Sequence, residues 1–130
     1  MKLQVGVKIL IQNNDGDYLF LKRRKVLEHD GPDTWDIPGG RIDSHESLMG
    51  ALKREVAEET SLELVGEPRL LAAQDIIVEQ KDLHVVRLTY MGKAKGIIKL
   101  SDEHVAFQFM SANEIKKSDD KLDPYLAEVL

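Results

Sequence analysis

Near its start the chain alternates apolar and other residues: Val5, Val7, Ile9 and Ile11 are separated by Gly6, Lys8 and Leu10. Successive side chains of a strand point to opposite faces, so this stretch predicts a strand with one strongly apolar face. NNDGD at 13–17 is dense in turn formers, and YLFLKRR after it predicts a second strand, the two making a hairpin. KVLEHDGPDT at 25–34 predicts a loop, WDIP at 35–38 a short strand ending at Pro38, and Gly39-Gly40 a break.

The next periodic segment predicts a helix from about Glu46 to Thr60, capped by Asp43 or Ser44, with Asp43 and Glu46 approximating a capping box. Residues 69–78 and 83–91, rich in Leu, Ile and Val, flank the polar turn EQKD and predict a second hairpin. GIIKL at 96–100 and VAFQFM at 105–110 predict further short strands. SANEI at 111–115 carries a capping signature that opens a short helix, and Asp123-Pro124 suits an N-cap before a last helix over YLAEVL. No repeat or linker interrupts the pattern. The elements predict an α/β fold, one mixed sheet covered by helices, in a single domain over 1–130.

Composition narrows the class of protein. The 130 residues suit one core, and with 42% hydrophobic and 32% charged residues the chain is not of a disordered type. No apolar run approaches the ~20 residues that span a bilayer, so no membrane partner is expected. MKLQVGVKILIQNN lacks the charged and apolar regions of a signal peptide, and with no cysteine nothing points to an oxidising compartment. A cytoplasmic location is the expectation. The formal net charge of -5 weighs against a nucleic-acid polymer as partner but not against a small phosphorylated ligand held through a divalent metal.

The candidate chemistry lies in REVAEET, residues 54–60. At ~100° per residue, Leu48, Ala51 and Leu52 share one arc of the helix, and Glu55, Glu58 and Glu59 project into the same arc one or two turns later. Lys53, Thr60 and Glu46 point the other way, toward expected solvent. Acids in the last turn oppose the helix dipole by a few tenths to ~1 kcal/mol each, and like charges at i,i+3 and i,i+4 add a similar cost. An inward face with these penalties needs positive charge. Arg54 supplies some, and bound Mg²⁺ or Mn²⁺ would supply the rest. The spacing reads as a metal site.

With its flanks the stretch becomes GRIDSHESLMGALKREVAEETSL, from Gly40 to Leu62, which resembles the Nudix box G-x5-E-x7-R-E-U-x-E-E-x-G-U. Gly40, Glu46, Arg54, Glu55, Val56, Glu58, Glu59 and Leu62 fall at their positions, and Ser61 stands where the pattern has glycine. WDIPGG, the hairpin ending in LKRR and EHVAFQFMSANEI also look like Nudix elements, so the resemblance covers nearly the whole chain. It implies a Nudix-type α/β/α sandwich with a mixed β-sheet and a loop–helix–loop box. It also implies hydrolysis of a nucleoside diphosphate linked to another group. By position it implies Glu55 and Glu59 as metal ligands, Glu58 as a third and the Gly39 carbonyl as a further one. Arg54 would orient a box glutamate such as Glu46. Glu103, in DEH before the late strand, matches a further catalytic or metal-binding glutamate and is preferred as general base over a box glutamate. A serine in place of a left-handed capping glycine is expected to cost ~1 kcal/mol of local stability without touching metal binding.

The run Lys22–Lys25 is ordinarily a solvated strand end, and the resemblance makes Arg24, then Arg23, candidates for substrate phosphates. Trp35 packs in a core or stacks on a base; Phe107 and Phe109 read as core. The substrate-binding set is thus Arg24, Arg23, Trp35, Gly39 and Gly40. His29, His45, His84 and His104 show no paired metal spacing, and His104 reads as an exposed loop histidine beside Glu103. The leading function is a MutT-like cleavage of a nucleoside triphosphate to monophosphate and pyrophosphate. The alternatives are an ADP-ribose or nucleotide-sugar pyrophosphatase and a non-catalytic nucleotide sensor. Base, leaving group and any preference for oxidised nucleotides stay open, and a homodimer is compatible with the chain.

Overall fold

The computed structural model describes residues 1–24, 34–118 and 121–130. Most of the expected loop at 25–34, with Lys25 and His29, lies outside the described residues, as do Asp119 and Asp120. The N-terminal strand β1 (Lys2–Ile11) sits inside a mixed sheet. On one side it pairs antiparallel with β4 (Gly39–Arg41), on the other parallel with β6 (Leu83–Lys95), which is followed by the antiparallel β5 (Glu63–Val78). A second four-stranded sheet runs β7 (His104–Met110), β2 (Tyr18–Arg23), β3 (Thr34–Asp36), β8 (Lys121–Leu122). Among the described residues the strands thus form two sheets where a single one was expected. Among the described residues no helix is long and apolar enough to cross a membrane.

The first predicted hairpin shows why. Its turn forms, with the Asn13 carboxamide oxygen accepting from Asp15 and Asp17 N–H and Gly16 at φ 85°. Yet β1 and β2 share only the bridge Gln12–Tyr18 before they part. Ile9, Leu10 and Ile11 are all buried, as are Leu19, Phe20 and Leu21, so neither strand has a solvent face there. Val7, Ile9, Ile11, Leu19 and Leu21 join one core with helix residues Ala51, Leu52 and Val56. Leu10, Phe20, Trp35 and Ile37 join a second core with Ile115 and Leu126. One central pair of strands thus feeds two cores.

Helix α1 (Leu48–Thr60) begins later than expected. Its N-cap is Ser47, whose hydroxyl accepts from Gly50 N–H at 2.9 Å, and not Asp43 or Ser44. The Asp43 N–H donates to Glu46 Oε1 at 2.9 Å, a box-like bond in the turn before the helix. The buried face comprises Ala51, Leu52, Val56, Glu59 and Thr60, while Leu48 is exposed. Thr60, expected in solvent, is fully buried: its hydroxyl donates to Val56 O at 2.7 Å and accepts from Leu62 N–H at 3.1 Å. That internal satisfaction lets a threonine lie on the core face.

GIIKL is not a strand. Backbone here and just after it instead serves the end of α1, Lys99 N–H donating to Thr60 O and the following Ser101 N–H to Glu59 O. The second hairpin forms as expected, β5 starting earlier than predicted and a 3₁₀ turn at Glu79–Lys81 joining it to β6. Helices α2 (Ala112–Lys117) and α3 (Pro124–Val129) carry the predicted caps, a full Ser111–Glu114 box and Asp123 accepting from Tyr125 and Leu126 N–H.

Candidate active site

Gly39-Gly40, expected to break a strand, forms strand β4, and the absence of side chains is what lets it serve the site. A Cβ on Gly39 would lie 2.0 Å from Val7 O, and Gly39 has φ 142°, so only glycine fits this close to β1. A Cβ on Gly40 would lie 2.7 Å from the Glu55 carboxylate. Glu55 therefore rests on bare backbone, and the Gly39 N–H donates to Glu59 Oε2 at 2.7 Å. Two consecutive inward turns of α1 are seated on one glycine edge.

Arg54 secures the helix from the other side. Its Nε and Nη2 hold both oxygens of Glu46 at 2.6 and 2.9 Å, the expected pairing. Nη1 reaches Glu55 Oε1 at 3.0 Å and Glu58 Oε2 at 3.3 Å, and Nη2 also donates to Arg41 O at 3.1 Å. The planar fork makes this possible, since a lysine could not bind one carboxylate with two parallel donors. The Arg54 fork and the Asp43 N–H hold the Glu46 carboxyl down to about 2, and Arg54 is itself held more firmly protonated.

Glu55 and Glu59 border a cleft of about 510 Å³. Asp36 and Glu103 also line it, and Lys8, Arg23, Arg41 and Arg87 bring positive charge to its walls. Burial pushes Glu59 up to about 7, against the opposing effects of the Gly39 N–H and Lys8, while Glu55 and Asp36 add to the rise. Burial also raises Glu55, against Arg54. Two carboxylates whose burial outweighs the partners they have offer oxygen donors that fit a hard divalent cation. Among the described residues no three His, Cys, Asp or Glu side chains stand together as a ready ligand cluster. Glu59 is engaged by the Gly39 N–H, and Glu55 and Glu58 by Arg54.

Of the residues singled out from sequence, Glu55, Glu59, Gly39, Gly40, Arg23 and Glu103 meet at the cleft. Glu58, its side chain 59% exposed, lies away from that lining on the Arg54 side. Arg24 donates from Nε to Asp102 O at 2.7 Å and is not on the cleft wall. Trp35 is buried in the second core with the Lys22 ammonium 5.4 Å from its ring centroid, which is the packing role and not the stacking one. Phe107 is exposed rather than core, whereas Phe109 packs against the first core.

Sequence reasoning missed several cleft residues. His104 is not an exposed loop residue: it is buried, its Nε2 lies 3.9 Å from Glu59 Oε1, and its Nδ1 has no hydrogen-bond partner among the described residues. Burial lowers its pKa, Glu103 working against that fall. Gln4, Gly6 and Lys8 line the cleft from one face of β1. The alternation that put Val7 and Ile9 on the core face was the available signal, but a polar strand face by itself reads as solvent.

Comparison with known proteins agrees with this geometry. The model of the NUDIX domain matches residues 2–130. The MutT protein of Methanosarcina mazei Go1 superposes with a TM-score of 0.81 at 28% identity, over 98% of this chain and 89% of that one. The MutT NUDIX hydrolase of Burkholderia pseudomallei gives 0.79 at 25%, over 96% and 93%. Among curated proteins, a Bacillus subtilis (strain 168) protein with a provisional name as an 8-oxo-dGTP diphosphatase is 38% identical over 55 residues, 42% of this chain and 33% of its own length. The m7GpppN-mRNA hydrolase NUDT17 of Xenopus laevis is 39% identical over 62 residues, 48% of this chain and 21% of its own. The chain thus spans a third or less of the length of these curated relatives. With a family model matched from residue 2 to the last, a two-turn carboxylate face on a glycine edge and the accompanying fold, the chain belongs to the NUDIX family.

Proposed function

We propose that this single domain is a divalent-metal-dependent pyrophosphohydrolase of small nucleotides, most simply one that cleaves a nucleoside triphosphate to monophosphate and pyrophosphate in the cytoplasm. The observation that carries the reading is the seating of Glu55 and Glu59 on Gly39-Gly40 within a cleft whose other walls hold Lys8, Arg23, Arg41 and Arg87. Carboxylates alone would repel a diphosphate. Carboxylates with a cation, flanked by basic side chains, suit one.

In this reading Glu55 and Glu59, with Glu58 and the Gly39 carbonyl as further donors, hold Mg²⁺ or Mn²⁺. An ion held there would offset charge on the phosphoryl oxygens and would ease loss of a proton from water. Arg23 and the other cleft cations orient the diphosphate, which turns an encounter into an aligned attack. Glu103 accepts the proton of the attacking water as its oxygen bonds to phosphorus and the bridging P–O bond breaks toward the leaving phosphoryl group. Arg54 keeps Glu46 and Glu55 in place without touching substrate.

The test is phosphate release, through a coupled pyrophosphatase or phosphatase, across nucleoside triphosphates including 8-oxo-dGTP, ADP-ribose, nucleotide sugars and a capped RNA. The capped RNA is included because a relative is named for that substrate. Mg²⁺- or Mn²⁺-dependent conversion of triphosphates, abolished by EDTA, is expected. Turnover of the diphosphate sugars alone would move the substrate class, and nucleotide binding with no turnover anywhere would make the domain a sensor. Size-exclusion chromatography with light scattering tests the homodimer that the reading also allows.

A further inference from the structure

Lys8 is a cleft cation held firmly by its neighbours. It faces the cleft from β1, in register with Gly39, and its side chain is only 15% exposed. Its ammonium donates to Asp36 Oδ2 at 2.9 Å and to Ile37 O at 3.2 Å. Asp36 is fixed in turn, since its Oδ1 accepts the Ile37 N–H at 2.8 Å. Arg23 and Arg41 are exposed, and Arg87 is drawn to Asp123 at 3.1 Å and lies 5.7 Å from the Tyr125 ring centroid. Lys8 therefore stands apart as a cation immobilised beside the glycine edge.

An ammonium has three donors, and among the described residues two of these are used. We propose that Lys8 is a phosphate-binding residue of this cleft, its third N–H donating to a phosphoryl oxygen of the substrate's diphosphate while Asp36 and the Ile37 carbonyl hold it in position. Asp36 is a positioning residue, buried with the lysine so that neither charge is left uncompensated before the substrate arrives. Lys8 shares the cleft lining with both box carboxylates and stands opposite Gly39, whose N–H holds Glu59. It can therefore meet a phosphoryl oxygen that those carboxylates approach through a metal. This inference rests on the diphosphate reading of the cleft.

The experiment titrates inorganic pyrophosphate calorimetrically into the Mg²⁺-loaded protein, wild type and Lys8→Met/Asp36→Asn, the double change removing both charges of the pair together. Lys8→Gln, which can still bond Asp36 and Ile37 O, serves if the double variant does not fold. Pyrophosphate binding is expected to weaken by roughly tenfold or more, the size of one charge-assisted hydrogen bond. Mn²⁺ binding in the absence of pyrophosphate should not weaken. A purely structural role would slacken the Ile37–Gly39 turn, move the Gly39 N–H off Glu59 and weaken Mn²⁺ in parallel. Parallel loss of both affinities, unchanged pyrophosphate binding in a folded variant, or no pyrophosphate binding by wild type would each overturn the proposal. A wild type that hydrolyses none of the panel, yet loses pyrophosphate affinity with Lys8, would sink the hydrolase reading and leave this one standing.

Discussion

Replacing Glu59 by glutamine should stabilise the metal-free protein while abolishing its activity. Glu59 is buried, and its carboxyl is pushed from an ordinary 4.5 up to about 7. A raised carboxylate favours the protonated fold, so the stability it lends is complete below pH 4.5 and is lost as pH rises through about 7. At ~1.4 kcal/mol per pH unit the ionised group then costs the fold about 3 kcal/mol at pH 8. Glutamine cannot ionise, and its carbonyl can still accept the Gly39 N–H. Its amide adds a buried donor worth about 1 kcal/mol if left unpaired, which leaves a net gain of about 2 kcal/mol. In a domain of this size that is a rise of roughly 8 °C in Tm. The assay is thermal unfolding of wild type and Glu59→Gln in EDTA at pH 8 and pH 5, where most of the cost should be gone. Other titrating groups are common to both proteins and cancel in the difference. A variant no more stable than wild type at pH 8, or equally advantaged at pH 5, would refute the claim that an uncompensated buried charge is built into this site.

Gly39→Ala and Gly40→Ala should part company. The first drives a Cβ into Val7 O and Lys8 Cα at a positive φ and is expected to cost on the order of 3 kcal/mol in urea unfolding. The second meets only the far end of the Glu55 side chain, which can shift, so Tm should barely change while Mn²⁺ affinity falls. Arg54→Lys keeps the charge but loses the two-pronged hold on Glu46, and turnover should drop about 10- to 100-fold with little change in far-UV CD. Ser61→Gly relieves a left-handed serine at φ 66° and gives up the exposed Ser61 Oγ to Lys99 O bond, so a gain of about 0.5 kcal/mol in Tm-derived stability with unchanged activity is expected.

What local sequence determined here is whatever depends on period and on neighbours within a turn or two. The alternation of Val5 to Ile11 specified β1, SANEI and Asp123-Pro124 specified two caps, and the box spacing put Glu55 and Glu59 on the inner side of α1. It also marked Ser61 as the left-handed position, because the pattern there calls for glycine. Only the tertiary structure decided which surfaces those faces meet. β1 pairs with β6 some eighty positions along the chain, from Lys2 opposite Leu83 onward, and leaves β2 to a second sheet. No local pattern records that choice, since an apolar face is satisfied by any core that covers it. The same holds for Lys8, Asp36 and His104, polar residues whose surroundings turned out to be a cleft, and for Thr60, whose hydroxyl finds its partners within its own helix end. Periodicity says which side of an element is polar; whether that side meets water, a counter-charge or a substrate is set by strands distant in sequence, because burial and pairing are properties of the assembled fold.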